Sequence, residues 1–125
     1  MDIEQQIGYW RKSAEEDLEA GRSLLEKEHF RHALFLAHLA LEKMLKAKAI
    51  MHTKQPPPRI HNLERLAEIA GLKLSLERKQ TLAEFGIYQL QGRYPDPAQA
   101  PIDKESAKKD FSIAEEMLKW LTAQL

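Results

Sequence analysis

The chain has 125 residues, no cysteine, and 19 lysines and arginines balanced by 19 aspartates and glutamates. Disulfides and thiolate chemistry are therefore excluded, and the strong basic excess of a general nucleic-acid binder is absent. The length indicates one domain, residues 1–125, and the lack of a signal peptide or of the roughly 18 apolar residues of a membrane span leads us to expect a cytoplasmic protein.

The spacing of apolar residues predicts about five helices and no strand, an all-α, antiparallel up-and-down bundle. The first two helices are expected over about 3–26 and 30–52. The break between them is short, which is typical of antiparallel neighbours in a helical hairpin. Three consecutive prolines, Pro56 to Pro58, follow the second helix and are interpreted as a stiff connector.

The other three helices are expected over about 62–70, 75–92 and 103–123. Each begins at a residue suited to an N-cap, and these residues are Asn62, Ser75 and Asp103. Gly71 is expected to end the third helix, and Pro95 cannot continue the fourth.

Two stripes bear on how the last helices pack. In the fourth helix the expected core residues are Leu76, Ala83, Ile87 and Leu90, and Gly86 is expected to mark a close helix crossing. In the fifth helix Phe111, Ala114, Leu118 and Leu121 form the expected core stripe, whereas Ile113, Met117 and Trp120 lie on a different flank. A second apolar flank predicts a further buried contact, and we expect a homodimer through these three residues.

The second helix is apolar on most sides but carries a polar stripe. Arg31, His38, Glu42 and Lys46 fall within roughly a quarter-turn of one another at about 100° per residue. Buried polar groups need partners, which another helix, a second subunit or a ligand can supply. Several lysines near the end of this helix, Lys43, Lys46, Lys48 and Lys54, also predict a local basic surplus.

Common catalytic motifs are missing from the chain. There is no glycine-rich phosphate loop, no His-Glu-x-x-His metal motif and no serine in a nucleophile elbow. The five histidines do not have a convincing metal-ligand spacing. We therefore predict no metal site, no cofactor and no catalytic residue.

An ordered set of short motifs nevertheless resembles a known family. The motifs are Tyr9-Trp10, Asp17-Leu18, Phe35, Ala37-His38-Leu39-Ala40, Glu42 to Ala47, His61-Asn62-Leu63 and Arg93-Tyr94-Pro95-Asp96. Their order and spacing resemble the HEPN domain, named for its occurrence in higher eukaryotes and prokaryotes and for a suspected nucleotide-binding role. The resemblance spans about residues 9–121.

The resemblance implies a small helical bundle that dimerises. Many prokaryotic members are encoded beside a minimal nucleotidyltransferase, in pairs that look like toxin–antitoxin or substrate-binding/catalytic modules. A ribonuclease branch uses an arginine, four to six spacer residues and a histidine. Arg93 matches that arginine, but Ala98, Gln99 and Ala100 occupy the positions of the histidine.

The main hypothesis is therefore a non-catalytic module that binds a nucleotide or RNA and acts with a small nucleotidyltransferase. Its expected binding residues are Arg93, Tyr94, Lys46, Glu42, His38 and His61. The first alternative is a metal-independent ribonuclease toxin, in which Arg93 stabilises the phosphate and His38 or His61 replaces the missing base. The second alternative is a purely structural dimerisation domain.

Each of these residues also has a structural interpretation, which for His61 is that it helps to start the third helix. Arg93 compensates the dipole of its helix, and Tyr94 packs beside the following proline. Glu42 and Lys46 form an ordinary i,i+4 ion pair, and His38 is a hydrogen-bonded core histidine.

Overall fold

The computed structural model describes residues 1–94 and 96–125, and it contains five α-helices and no strand over those residues. The helices are α1 (Ile3–Glu26), α2 (Phe30–Thr53), α3 (Leu63–Ile69), α4 (Leu76–Arg93) and α5 (Lys104–Ala123). The prediction of an all-α bundle is confirmed, and the helix ends agree with the expected ones to within one residue. Pro95, which was expected to end α4, lies outside the described residues.

The helix α2 is the centre of the bundle and contacts each of the other four helices. Its side chains are buried on most sides, and many of them are small, which lets neighbouring helices approach closely. The core alanines of α2 are Ala33, Ala37, Ala40, Ala47 and Ala49. None of the helices in the described part of the chain is long and apolar enough to cross a membrane.

The predicted helix starts are confirmed by their hydrogen bonds. The Asn62 side chain accepts a bond from the Arg65 amide at 2.9 Å, and the Asp103 side chain accepts one from the Ser106 amide at 2.9 Å. The Ser75 hydroxyl accepts a bond from the amide three residues later in the same way. These caps satisfy amides that a helix leaves free at its first turn.

The predicted core face of α4 is wrong. Leu76 is 72% exposed and Leu90 is 56% exposed, and Ala83 and Ile87 are also at the surface. The buried residues of α4 are instead Leu82 and Phe85. Helical spacing allows either row of apolar residues to face the core, and the structure buries the row with Leu82 and Phe85, where the Phe85 ring packs edge-on against Tyr88.

The expected role of Met117 is also corrected. Met117 is 1% exposed and belongs to the core of its own chain, and Ile113 and Trp120 are partly buried against that core. Arg78 of α4 reaches across to this flank, and its guanidinium carbon lies 4.2 Å from the centroid of the Trp120 ring. The second flank of α5 is therefore largely covered within one chain, which removes the reason for expecting a dimer there.

Glycines mark close contacts at positions other than the expected one. A β-carbon added to Gly86 would meet no atom within 4 Å, so the prediction of a close crossing at Gly86 is wrong. A β-carbon added to Gly92 would lie 2.8 Å from the Phe35 β-carbon and still closer to the Phe35 ring. The end of α4 therefore approaches α2 through the side chain of Phe35 packed on the backbone of Gly92.

Two glycine substitutions should have opposite effects on stability. We expect Gly92→Ala to lower the free energy of unfolding by about 1–3 kcal/mol, because Phe35 has to move. Gly86→Ala is the matched control, and it should raise that free energy by roughly 0.5–1 kcal/mol because alanine is the better helix former. Urea denaturation of both variants at one protein concentration measures the difference. Equal stability of the two variants would contradict the close contact at Gly92.

Candidate functional site

Three polar side chains of α2 form a buried cluster. His38, Glu42 and Lys46 are 1%, 3% and 7% exposed, and they are the buried polar or charged residues among those that the structure describes. Since they are four residues apart along one helix, they lie on one face. With His61, which contacts Glu42, the structure thus brings together four of the six residues expected to bind a nucleotide.

The carboxylate of Glu42 is the centre of this cluster. The Lys46 ammonium nitrogen lies 3.1 Å from Glu42 Oε2. His61 Nδ1 lies 3.1 Å from each of the two carboxylate oxygens. His61 directly precedes the N-cap of α3, so the start of that helix positions the imidazole. The buried charge is therefore bound by one cation from its own helix and by one ring from a neighbouring segment.

The site contains an aromatic residue, Trp10, that was not among the expected binding residues. The Lys46 ammonium lies 5.4 Å from the centroid of the Trp10 ring in α1. This distance is typical of a cation–π interaction, which helps to hold a lysine away from water. The partners of Lys46 are thus a carboxylate and an indole, and both of them stabilise its positive charge inside the protein.

His38 is buried without a hydrogen-bond partner. Neither ring nitrogen has one among the described residues. Burial lowers the pKa of His38 from 6.5 to about 4; the Glu42 carboxylate opposes the shift, and His61 and Arg93 add to it. The imidazole is therefore neutral at pH 7. His38 is a core residue, as its structural interpretation expected, but the expected hydrogen bond is absent.

Arg93 and Tyr94 lie at the exposed end of α4. The Arg93 guanidinium carbon is 5.5 Å from the centroid of the Phe35 ring, and no carboxylate in the described part of the chain forms an ion pair with it. Tyr94 is 73% exposed, so it does not pack as a core residue. The positive charge of Arg93 makes a small contribution to the lowered pKa of His38.

Other polar residues are used elsewhere in the bundle. Arg31 donates a hydrogen bond to the Gln91 carbonyl oxygen at 3.2 Å, at the end of α4, and so is not a partner of the Glu42 cluster. Asp17 forms an ion pair with Lys43 at 2.7 Å. Because Lys43 and Lys46 are each paired with a carboxylate, the basic surplus predicted for the end of α2 is much smaller than the sequence indicates.

Two features of the site were missed by reasoning from the sequence. The first is the contact of Gly92 with Phe35, which sets the position of Arg93. The second is the use of Trp10 as a partner for Lys46. Neither has a local signal, because both join residues that are far apart in the chain. Among the described residues no three metal-ligating side chains lie close enough together to hold a metal ion.

The pKa of His38 predicts a specific pH dependence of stability. Its pKa is about 4 in the folded chain and 6.5 in the unfolded chain, so between these values the unfolded chain binds more protons. Stability should therefore fall as pH falls from about 6.5 to about 4, with a contribution from His38 of about 3 kcal/mol.

His38→Leu should remove this contribution and give a flatter dependence of unfolding free energy on pH. The comparison is made by urea denaturation at several pH values. His32→Gln is the control, because His32 is an exposed residue of the same helix. The same slope in the wild type and in His38→Leu would show that the His38 imidazole is not held neutral by burial.

Comparisons with known proteins agree with this architecture. The chain is similar to TT1696 from Thermus thermophilus, a crystal structure with a TM-score of 0.81 and 19% identity, over 96% of this chain and 98% of that chain. It is also similar to ST0689, described as an archaeal HEPN homologue, with a TM-score of 0.73 and 22% identity, over 99% of this chain and 98% of that chain. At these identities the two structures show a shared fold.

No curated protein matches the chain. The family model described as the HEPN domain matches residues 7–124, nearly the whole length. The resemblance inferred from the motifs is thereby confirmed, and the chain belongs to the HEPN domain family.

Proposed function

We propose that this chain is a non-catalytic module that binds a nucleotide or a short RNA segment and acts with a small nucleotidyltransferase. The observation that carries the proposal is the position of Arg93, an exposed guanidinium with no carboxylate partner among the described residues. A free guanidinium is well suited to a phosphate, to which it donates two parallel hydrogen bonds.

The neighbouring side chain supports a nucleotide as the ligand. Tyr94 follows Arg93 directly and its ring is largely exposed. An exposed aromatic ring next to a phosphate-binding group offers a surface on which a base stacks. Arg93 rests on the Phe35 ring, and that contact limits the positions its guanidinium adopts. A pre-oriented side chain loses less conformational freedom when a ligand binds.

The buried residues have a supporting role in this proposal. Glu42, Lys46 and His61 satisfy one another, and this network joins α2 to the segment before α3. His38 has almost no exposed surface and so does not reach a ligand directly. Of the six expected binding residues, Arg93 and Tyr94 are therefore proposed to contact the nucleotide, whereas the half-exposed His61 is bound to Glu42.

The nucleotidyltransferase partner is proposed because the chain belongs to this family, and the proposal does not rest on a particular surface of the chain. Members of this family are often encoded beside a minimal nucleotidyltransferase, and a module that holds a nucleotide or RNA end suits an enzyme that transfers nucleotides. Co-purification of the two gene products is the direct check on that part of the proposal.

Nucleotide binding should depend on Arg93. We expect Arg93→Ala to weaken the binding of ATP or of a short RNA by about tenfold or more, because charge-assisted hydrogen bonds contribute roughly 1.5–3 kcal/mol. Arg93→Lys should bind with intermediate affinity, since lysine keeps the charge but loses the two-pronged geometry. Isothermal calorimetry gives the affinities.

Arg11→Ala is the matched control, because Arg11 is an exposed arginine whose ion pair with Glu15 lies within α1. It should bind as the wild type does. If folded Arg93→Ala also binds as tightly as the wild type, Arg93 compensates the dipole of α4 and does not hold a phosphate. If the wild type alone binds neither ligand, the same series is measured on its complex with the nucleotidyltransferase.

The chain should not cleave RNA. No histidine follows Arg93 at the spacing of the nuclease motif, and buried His38 cannot approach a scissile phosphate. Structured and unstructured RNAs are incubated with the protein in the absence of metal and analysed on gels. Cleavage that disappears in Arg93→Ala would favour the ribonuclease alternative.

A further inference from the structure

A cavity of about 320 Å³ lies between the start of α2, the end of α4 and the segment that leads into α5. This volume is at the lower end of the range of small-molecule sites, so it suits a ligand smaller than a nucleotide. The outer wall, residues 96–101, is exposed, and the cavity is therefore reached from solvent. Arg93 and Tyr94, which are proposed to contact the nucleotide, do not line it, so the cavity is a separate site.

Two side chains of opposite charge lie in the wall of this cavity, Arg31 of α2 and Asp96 of the outer wall. Neither forms an ion pair with any described residue, so their charged atoms are too far apart to neutralise each other. The bond from Arg31 to the Gln91 carbonyl oxygen uses one N–H of the guanidinium and leaves others for a ligand. A ligand with both charges could bind between the two side chains.

A third polar group in the wall lacks a partner. Gln91 lines the cavity, and its side-chain oxygen is buried without a hydrogen bond to any described residue. A buried acceptor without a donor is rare and destabilising, so this position favours a ligand that supplies a donor. An ammonium group has three N–H donors, which is enough for Gln91 and Asp96 together.

The rest of the wall is mostly apolar. Phe30 is the first residue of α2, Ile102 lies just before α5, and both are half-buried against the core. Ala100 and Pro101 complete this side of the cavity. An apolar group of a ligand would leave water when it packs here, and that burial stabilises a complex.

We propose that this cavity binds a free amino acid with an apolar side chain. Its α-carboxylate accepts hydrogen bonds from Arg31, and its α-ammonium donates to Asp96 and to the Gln91 side chain. Its side chain packs on Phe30 and Ile102. A nucleotide or a fatty acid lacks the positive charge that suits Asp96, and a simple amine lacks the negative charge that suits Arg31.

The first test compares ligands that each lack one group. L-leucine is the probe, and calorimetry on the full chain at millimolar ligand should show that it binds. N-acetyl-L-leucine has no ammonium and L-leucinamide has no carboxylate, so each should bind about tenfold or more weakly because one charge-assisted contact is lost. Glycine keeps both charges but should also bind more weakly, since it has no side chain to bury.

Three results of this comparison would overturn the inference. The first is that L-leucine does not bind. The second is that N-acetyl-L-leucine, which resembles the last residue of a peptide, binds as tightly as L-leucine or more tightly; the ligand would then be a peptide end. The third is that L-leucinamide binds as tightly as L-leucine, since Arg31 would then hold no carboxylate.

The second test matches each charged residue with its own ligand group. Arg31→Gln should weaken the binding of L-leucine by about tenfold or more but hardly change that of L-leucinamide, which has no carboxylate to lose. Asp96→Asn should weaken the binding of L-leucine and hardly change that of N-acetyl-L-leucine. Arg11→Gln is the control, because Arg11 is an exposed arginine that does not line the cavity, and it should bind L-leucine as the wild type does.

These pairs separate a contact with the ligand from an effect on the fold. Arg31→Gln also loses the bond to the Gln91 carbonyl oxygen, so circular dichroism verifies that the variant is folded. In Asp96→Asn the new side-chain oxygen still accepts the bond that the Ala98 amide donates to Asp96. If folded Arg31→Gln binds L-leucine as the wild type does, or loses L-leucine and L-leucinamide equally, Arg31 only holds the end of α4. Equal losses of L-leucine and N-acetyl-L-leucine in Asp96→Asn would likewise contradict the contact with the ammonium.

Discussion

The buried carboxylate of Glu42 is the constraint on which much of the structure depends. A carboxylate inside a helical core has to be paired, because burying an isolated charge destabilises the fold by more than the packing of a helix stabilises it. Its partners are Lys46 and His61. Lys46 is on the same helix as Glu42, whereas His61 belongs to the segment that leads into α3 and holds that segment against α2. Satisfying one buried charge therefore determines how a separate part of the chain is held against α2.

The same requirement extends to the first helix. Lys46 is itself buried, and its ammonium lies over the Trp10 ring of α1. A tryptophan at this position thus both fills space and stabilises a cation. The cluster joins three segments of the bundle through one face of α2. A buried polar network of this kind favours one packing arrangement over others, because a shifted helix would leave its charges unpaired.

The fourth helix connects the cluster with the surface. Its end approaches α2 closely because Gly92 leaves room for Phe35, and the next residue, the exposed Arg93, lies over the Phe35 ring. Its outer side carries exposed apolar side chains, among them Leu76, Ile87 and Leu90. The helix thus packs on α2 through one side and presents the proposed phosphate-binding arginine at its exposed end.

The sequence by itself determined the number and ends of the helices, their caps and the family, because these depend on neighbours a few positions apart. It also placed His38, Glu42 and Lys46 on one face, since helical periodicity relates them directly. Only the tertiary structure decided which stripe of α4 is buried, because both have the same spacing and the choice depends on what lies opposite. Likewise, only the tertiary structure shows that Met117 belongs to the core of its own chain. The contacts of Lys46 with Trp10 and of Gly92 with Phe35 join residues that are far apart in the sequence. The physical reason is that local rules govern helix formation, whereas contacts between helices depend on the packing of the whole chain.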